Sequence, residues 1–338
     1  MKATGTVVLR RVLVCAGLVG CASGCGDDYA RFSRSQFRIG LDAAERVDAA
    51  ALFGRVEDIC DARLSDPTRD ESHPDACGVR RDCVYSREAT RTVIEQWWAE
   101  SDLAERADLG VQIVDEGGFR TANILLDLPG QSRPDEWVLA VAHYDAWYCG
   151  ANDNATGSAV LFEAARALAE VSLDRSVRLL WVDGEELGMV GTERYIDAHQ
   201  EHIVMVLNAD MIAFRGEQSS TLTADSVEYS MQANEQSAEA AYQVADLGER
   251  LPEPISSRAV VYPGCGVSAA GVIFGYALSD HAPFWLIGVP AVFPFPTGDK
   301  PEWYHTPRDT PDKVDQSRLR RIGRLWAAAL GAFATVAE

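Results

Sequence analysis

The sequence predicts an α/β fold: a three-layer α/β/α sandwich built on a mixed, mostly parallel central sheet. Three observations predict it. Between residues 109 and 295 short apolar runs alternate with stretches of helical spacing, the pattern of successive strand-helix units. One run, EWVLAVAHYDAW (136–147), is nearly continuous in apolar residues, as a strand covered on both faces is, and VRLLWVDGEE (177–186) reads as another buried strand that breaks into Gly184, Glu185 and Glu186. The chain has 338 residues, 47% hydrophobic and 24% charged, which allows a large buried core and rules out a disordered chain.

Taken in order, residues 1–20 read as an export signal, with Lys2, Arg10 and Arg11 ahead of an apolar stretch too short to span a bilayer. Residues 21–50 read as a tether and 51–84 as a helical extension, with turn signals at Asp66-Pro67, His73-Pro74 and Cys77-Gly78. The main domain is expected over 85–338. It opens with a helix in which Val93, Ile94, Trp97 and Trp98 recur at helical spacing. LGVQIVDE (109–116) and TANILLDLPG (121–130) read as strands joined through Gly117-Gly118, followed by the strand 136–147. A helix over about 155–171, the strand 177–186, a helix over 191–201 and the strand IVMVLNADMIA (203–213) continue the alternation. Residues 214–260 show little period apart from a helix from Asn234 to Leu251. A short helix (279–288), a strand PAVFPF (290–295) and a closing helix (310–337) complete the chain.

Leu18, Val19, Gly20 and Cys21 resemble a bacterial lipoprotein box, with Cys25 a weaker second site, so the expected location is the bacterial cell envelope, lipid-anchored, or else periplasmic or secreted. Loss of residues 1–20 removes three basic residues and no acidic one, shifting the net charge from −20 to −23 and making nucleic acid an unsuitable partner. After export Cys60, Cys77, Cys83, Cys149 and Cys265 would meet oxidising conditions. Two pairings suggest themselves, Cys77 with Cys83 or Cys60, and Cys149 with Cys265, and sequence does not choose among them.

Five pieces end strands or lie just past them: HYD (143–145), ANDN (151–154), DGEE (183–186), NAD (208–210) and YHTPRDT (304–310). Sites in open α/β sheets gather at the carboxyl ends of strands, so these pieces can converge. Two histidines with several carboxylates and no thiolate pair suit a hydrolytic zinc centre, and a shared carboxylate permits two ions. A histidine or aspartate at any one strand end is by itself most often a turn or cap residue; the joint occurrence carries the reading.

In order and approximate spacing, all five motifs resemble the family of zinc-dependent aminopeptidases that includes secreted bacterial leucyl aminopeptidases, with glutamate carboxypeptidases and glutaminyl cyclases as more distant relatives. The resemblance covers roughly residues 85–335 and implies a phosphorylase/hydrolase-like fold. It implies two Zn²⁺ ions: His143 and Asp210 on one, Glu186 and His305 on the other, Asp153 bridging. It further implies Asp145 as the residue that orients His143, Glu185 as general base, Tyr276 as donor to the developing oxyanion, and Asp280 behind the ligands or against substrate. Where several family members carry two cysteines around the segment equivalent to 275–277, this chain has Phe274 and Leu278, which leaves Tyr276 without that support. The implied substrates are peptides with a free N-terminus. A glutaminyl-peptide cyclase with one zinc is the alternative, and a non-catalytic binding module is disfavoured because no ligand is lost. His281, His199 and His202 read as structural or surface residues. Side-chain preference and oligomeric state are not legible.

Overall fold

The computed structural model describes residues 29–65, 87–116, 119–214, 227–262, 278–298 and 300–337, and within them an eight-stranded sheet carries the fold. The strands are β1 (Asp108–Glu116), β2 (Phe119–Leu128), β3 (Arg133–His143), β4 (Arg175–Val182), β5 (His202–Asn208), β6 (Tyr229–Asn234), β7 (Ser257–Tyr262) and β8 (Ala291–Pro296), in the order β1-β2-β4-β3-β5-β8-β6-β7. The central strands β4, β3, β5 and β8 are mutually parallel, so their carboxyl ends share one edge. β1 and β2 are antiparallel additions at one side, and β6 runs antiparallel to β8 at the other. The alternation of side chains on β3 divides the core. Val138, Ala140 and Ala142 face one helical layer, and Leu139 and Val141 the other.

The first layer contains α4 (Thr156–Leu168) and α8 (Gln316–Ala334), which pack on β3, with α1 (Arg34–Glu45), α2 (Ala49–Ser65), α3 (Arg87–Ala99) and α6 (Ala238–Arg250) around them. The second, thinner layer holds α5 (Val190–Ala198) and α7 (His281–Leu286). This is the three-layer sandwich expected from the sequence. No helix among the described residues is long and apolar enough to cross a membrane.

Four expectations need correction. The tether drawn over 21–50 contains α1, which is capped by Ser33 in a capping box with Gln36 and lies along α8. Its contact with α8 is so close that a Cβ at Gly40 would stand 2.6 Å from the Ala328 carbonyl oxygen, which explains the glycine. The closing helix begins at Gln316 instead of 310, because Pro311 opens a separate 3₁₀ turn and the Asp315 carboxylate caps the helix by accepting from the backbone of Ser317 and Arg318. Two strands, β6 and β7, occupy the stretch in which no strand was expected. Cys149 pairs with Cys60, a combination absent from the expected set. His73, Cys77, Cys83, Cys265 and Tyr276 lie outside the described residues.

Candidate metal centre

The apolar runs at 136–147 and 203–213 outlast their strands. β3 stops at His143 and β5 at Asn208, and the residues just beyond turn inward at the shared edge of the sheet. His143 Nδ1 bonds the Asp145 backbone carbonyl at 3.0 Å, which aims Nε2 into the cluster. There Nε2 lies 3.3 Å from Asp153 Oδ1 and 3.4 Å from Asp210 Oδ1. The other oxygen of Asp153 lies 3.0 Å from His305 Nε2, which is in turn 3.1 Å from Glu186 Oε2. Asp153 thus stands between two half-sites, His143 with Asp210 and His305 with Glu186. Ligand atoms of His143, Asp153 and Glu186 all lie within 4.8 Å of one another.

The loops are fixed by hydrogen bonds that need particular side chains. Asp309 accepts from the backbone N–H groups of Asn152 and Asp153 at 2.9 and 3.0 Å. Asn154 donates to the Ala209 carbonyl and accepts from Gly157, and a Cβ at Gly157 would stand 2.3 Å from that same carbonyl oxygen, so only glycine lets α4 start so close to the end of β5. Tyr148, Met211 and His305 have φ of 62°, 51° and 55°, the left-handed region disfavoured for side-chain-bearing residues; strain of this kind gathers at functional sites.

Asp145 meets His143 through two groups, its backbone carbonyl 3.0 Å and its carboxylate 3.6 Å from Nδ1, and the carboxylate also accepts from the backbone N–H groups of Glu185 and Glu186, each at 3.2 Å. It therefore ties the turn after β4 to the end of β3. Asp280 is fully buried and accepts from Thr192 Oγ1, with its second oxygen lacking a hydrogen-bond partner among the described residues. His281 stacks on Phe293 in the core, as its structural reading required. Three supporting residues were not singled out from sequence: Trp147, whose Nε1 donates to Glu186 Oε2 at 2.7 Å, Asp309, and Arg63. The YHTPRDT piece held Asp309, but nothing in sequence marked it as a backbone acceptor.

The electrostatics describe a site short of positive charge. Burial pushes the His143 imidazole down, but Asp145, Asp153 and Asp210 outweigh it and hold its pKa well above the ordinary range. Burial likewise opposes His305, which Asp153 and Glu186 nevertheless raise to about 9. Burial and then Asp153 raise Glu186 to about 7, against the pull of His305. Burial raises Glu185 well above the carboxylate range, partly offset by His143 and reinforced by Glu186 and Asp210. His143 Nε2, Asp210 Oδ1 and Glu186 Oε1 are buried without a hydrogen-bond partner among the described residues. Nitrogen and carboxylate donors converging with orphaned, buried ligand atoms fit divalent cations of the zinc type.

The profile described as Peptidase family M28 matches residues 123–330, which includes every member of the cluster. The chain is 29% identical over 209 residues to "Aminopeptidase YwaD" of Bacillus subtilis (strain 168), covering 60% of this chain and 42% of that protein. It therefore spans less than half the length of that relative. Among solved structures it resembles the Legionella pneumophila LapA aminopeptidase with a TM-score of 0.66 at 19% identity, over 92% of this chain and 78% of that one. It also resembles a Bacteroides thetaiotaomicron glutaminyl cyclase, with a TM-score of 0.55 at 15% identity, over 84% and 98% respectively. At these identities the structural matches speak for the fold.

Proposed function

Because the chain belongs to peptidase family M28, we propose that it is an exported zinc aminopeptidase that uses two ions to remove N-terminal residues from peptides. The observation that carries the reading is Asp153, whose two oxygens face two different histidines, each with its own further carboxylate. His143, Asp153 and Asp210 would hold one ion, and Asp153, Glu186 and His305 the other. Bound there, zinc would supply a Lewis acid that polarises the scissile carbonyl and acidifies water. Glu185, beside a ligand and kept proton-hungry by burial, would take the proton of the attacking water and return it to the leaving amine. Asp145 would hold that carboxylate in reach through the backbone of 185 and 186. Tyr276 would donate to the developing oxyanion.

Export is supported by the signal-like residues 1–20 and by the buried Cys60–Cys149 bridge, which suits an oxidising compartment. A lipid anchor at Cys21 would tether the enzyme to the bacterial envelope; mass spectrometry of the mature N-terminus tests it, and an unacylated product cut elsewhere rules it out.

The catalytic test is hydrolysis of aminoacyl anilides by zinc-loaded protein with and without a chelator, beside Glu185→Gln. The variant should retain zinc and lose about 10²- to 10⁴-fold in kcat. Unimpaired turnover would reject Glu185 as base. A second reading, glutaminyl-peptide cyclase, is kept because the same fold also occurs in a glutaminyl cyclase structure that matches 84% of this chain. The unspent His143–Asp210 half-site favours the peptidase, since a one-zinc enzyme has no use for it. Pyroglutamate formation without release of the anilide's amine would decide for the cyclase.

A further inference from the structure

A pocket of about 230 Å³ opens beside Asp153, Glu185 and Asp210. Met211, Phe293, Phe295 and Leu278 give it apolar walls. Gln232 breaks that character. It sits on β6 in register with Phe293 of β8, while its neighbours Met231 and Ala233 turn into the main core. Its side chain lines the pocket at only 2% exposure, and its Oε1 is buried with no hydrogen-bond partner among the described residues. An unpaired buried amide oxygen forfeits its hydrogen bond to water without replacement, so an apolar side chain here would be more stable unless a partner arrives from the pocket.

We infer that this pocket receives the side chain of the substrate's first residue and selects a neutral carboxamide, glutamine or asparagine, through Gln232. The inference rests on the aminopeptidase reading and deepens it. An amide offers one acceptor and a pair of donors, and it can turn about its last bond to present either. A second carboxamide satisfies both at once, with its methylene stem against Phe293 and Phe295. A carboxylate satisfies only the donors and brings negative charge against Oε1. An ammonium satisfies only the acceptor and must pass Lys300, which also lines the pocket with its ammonium 4.0 Å from the centre of the Tyr304 ring. An aliphatic side chain of equal length fills the space and leaves the amide unpaired; sites built to hydrogen-bond a substrate reject such analogues strongly.

Glutaminyl, methionyl, glutamyl and lysyl p-nitroanilides, offered to zinc-loaded full-length protein, test this directly, since glutamine and methionine are of similar length and differ in hydrogen bonding. Wild type should favour glutaminyl over methionyl by about tenfold or more in kcat/KM, and Gln232→Met should abolish or invert the ratio. A wild-type preference for methionine, or an unchanged ratio in the variant, overturns the inference; the latter would mean that a bound water completes the amide. A preference for glutamyl substrate would transfer selection to Lys300 and equally overturn it. If no anilide is cleaved, the aminopeptidase reading fails separately. Calorimetric titration of free glutamine and methionine then decides the pocket: glutamine should bind about tenfold tighter, and Gln232→Met should erase the difference.

Discussion

At the scale of single residues, the proposed two-ion site turns on Asp153. Its oxygens lie 3.3 and 3.0 Å from the two histidines, so among the described residues it is the carboxylate placed between both half-sites. Asp153→Asn keeps the size but offers a single neutral oxygen, so bound zinc measured by mass spectrometry should fall from two ions to one or none, with activity down at least about hundredfold. Two zinc ions retained in that variant would show that the bridge lies elsewhere. His305 adds a backbone feature: its φ of 55° lies in the left-handed region while its ring faces Asp153 and Glu186, the kind of strain that gathers at functional sites.

Among the elements, α2 stands out because it braces the candidate metal loop from behind. Cys60, one turn before Arg63, is joined to Cys149. Arg63 is fully buried and donates to the carbonyls of Tyr144, Cys149 and Gly150 at 2.8, 2.6 and 3.0 Å, and to Thr90 on α3. Burial lowers its pKa to about 10, and Asp145, Asp309 and Asp153 limit the fall, so it remains a cation at neutral pH behind an acidic site. Arg63→Met leaves three buried carbonyls without this donor. Unfolding in urea should show a loss of about 3 kcal/mol or more, together with weaker zinc retention on dialysis against a chelator. A variant as stable as wild type would mean that the bridge alone holds the loop. The helical extension expected at residues 51–84 is therefore in part a wall of the site.

Across the whole molecule, the sheet orders the site and the flanking ion pairs hold its edges. At the β6 side Arg321 of α8 grips both oxygens of Glu228, at 2.5 and 2.6 Å. This contact holds the Glu228 carboxyl below its ordinary value of 4.5. A depressed folded pKa stabilises above the unfolded value, and the gain disappears as pH falls through the folded value. Glu228→Gln should therefore lower Tm at neutral pH, by the equivalent of about 1 kcal/mol for a partly exposed pair, and the gap to wild type should close in melts below pH 4.5. A gap that persists in acid would assign the loss to packing.

The strands that lead into the candidate ligands were legible because each is a buried run, and a buried parallel strand has few alternatives to apolar residues. β6 and β7 were not: YSMQAN and SRAVVY mix polar residues into six-residue strands beside the polar stretch after Phe214. The Cys60–Cys149 pairing was equally hidden, since spacing does not constrain which thiols a fold brings together.

The amino-acid sequence by itself determined the fold class and the order of the five histidine- and carboxylate-bearing motifs, because periodicity and residue chemistry are written along the chain; the roles proposed for single residues came from the resemblance to a known family. Tertiary structure alone decided that the two oxygens of Asp153 face opposite histidines, that Asp145 holds the 185–186 turn with its carboxylate, and that Arg63 and Gln232 belong to the site. These are relations between residues up to about 160 positions apart. Their distances and directions exist only once the sheet has fixed which strand ends meet.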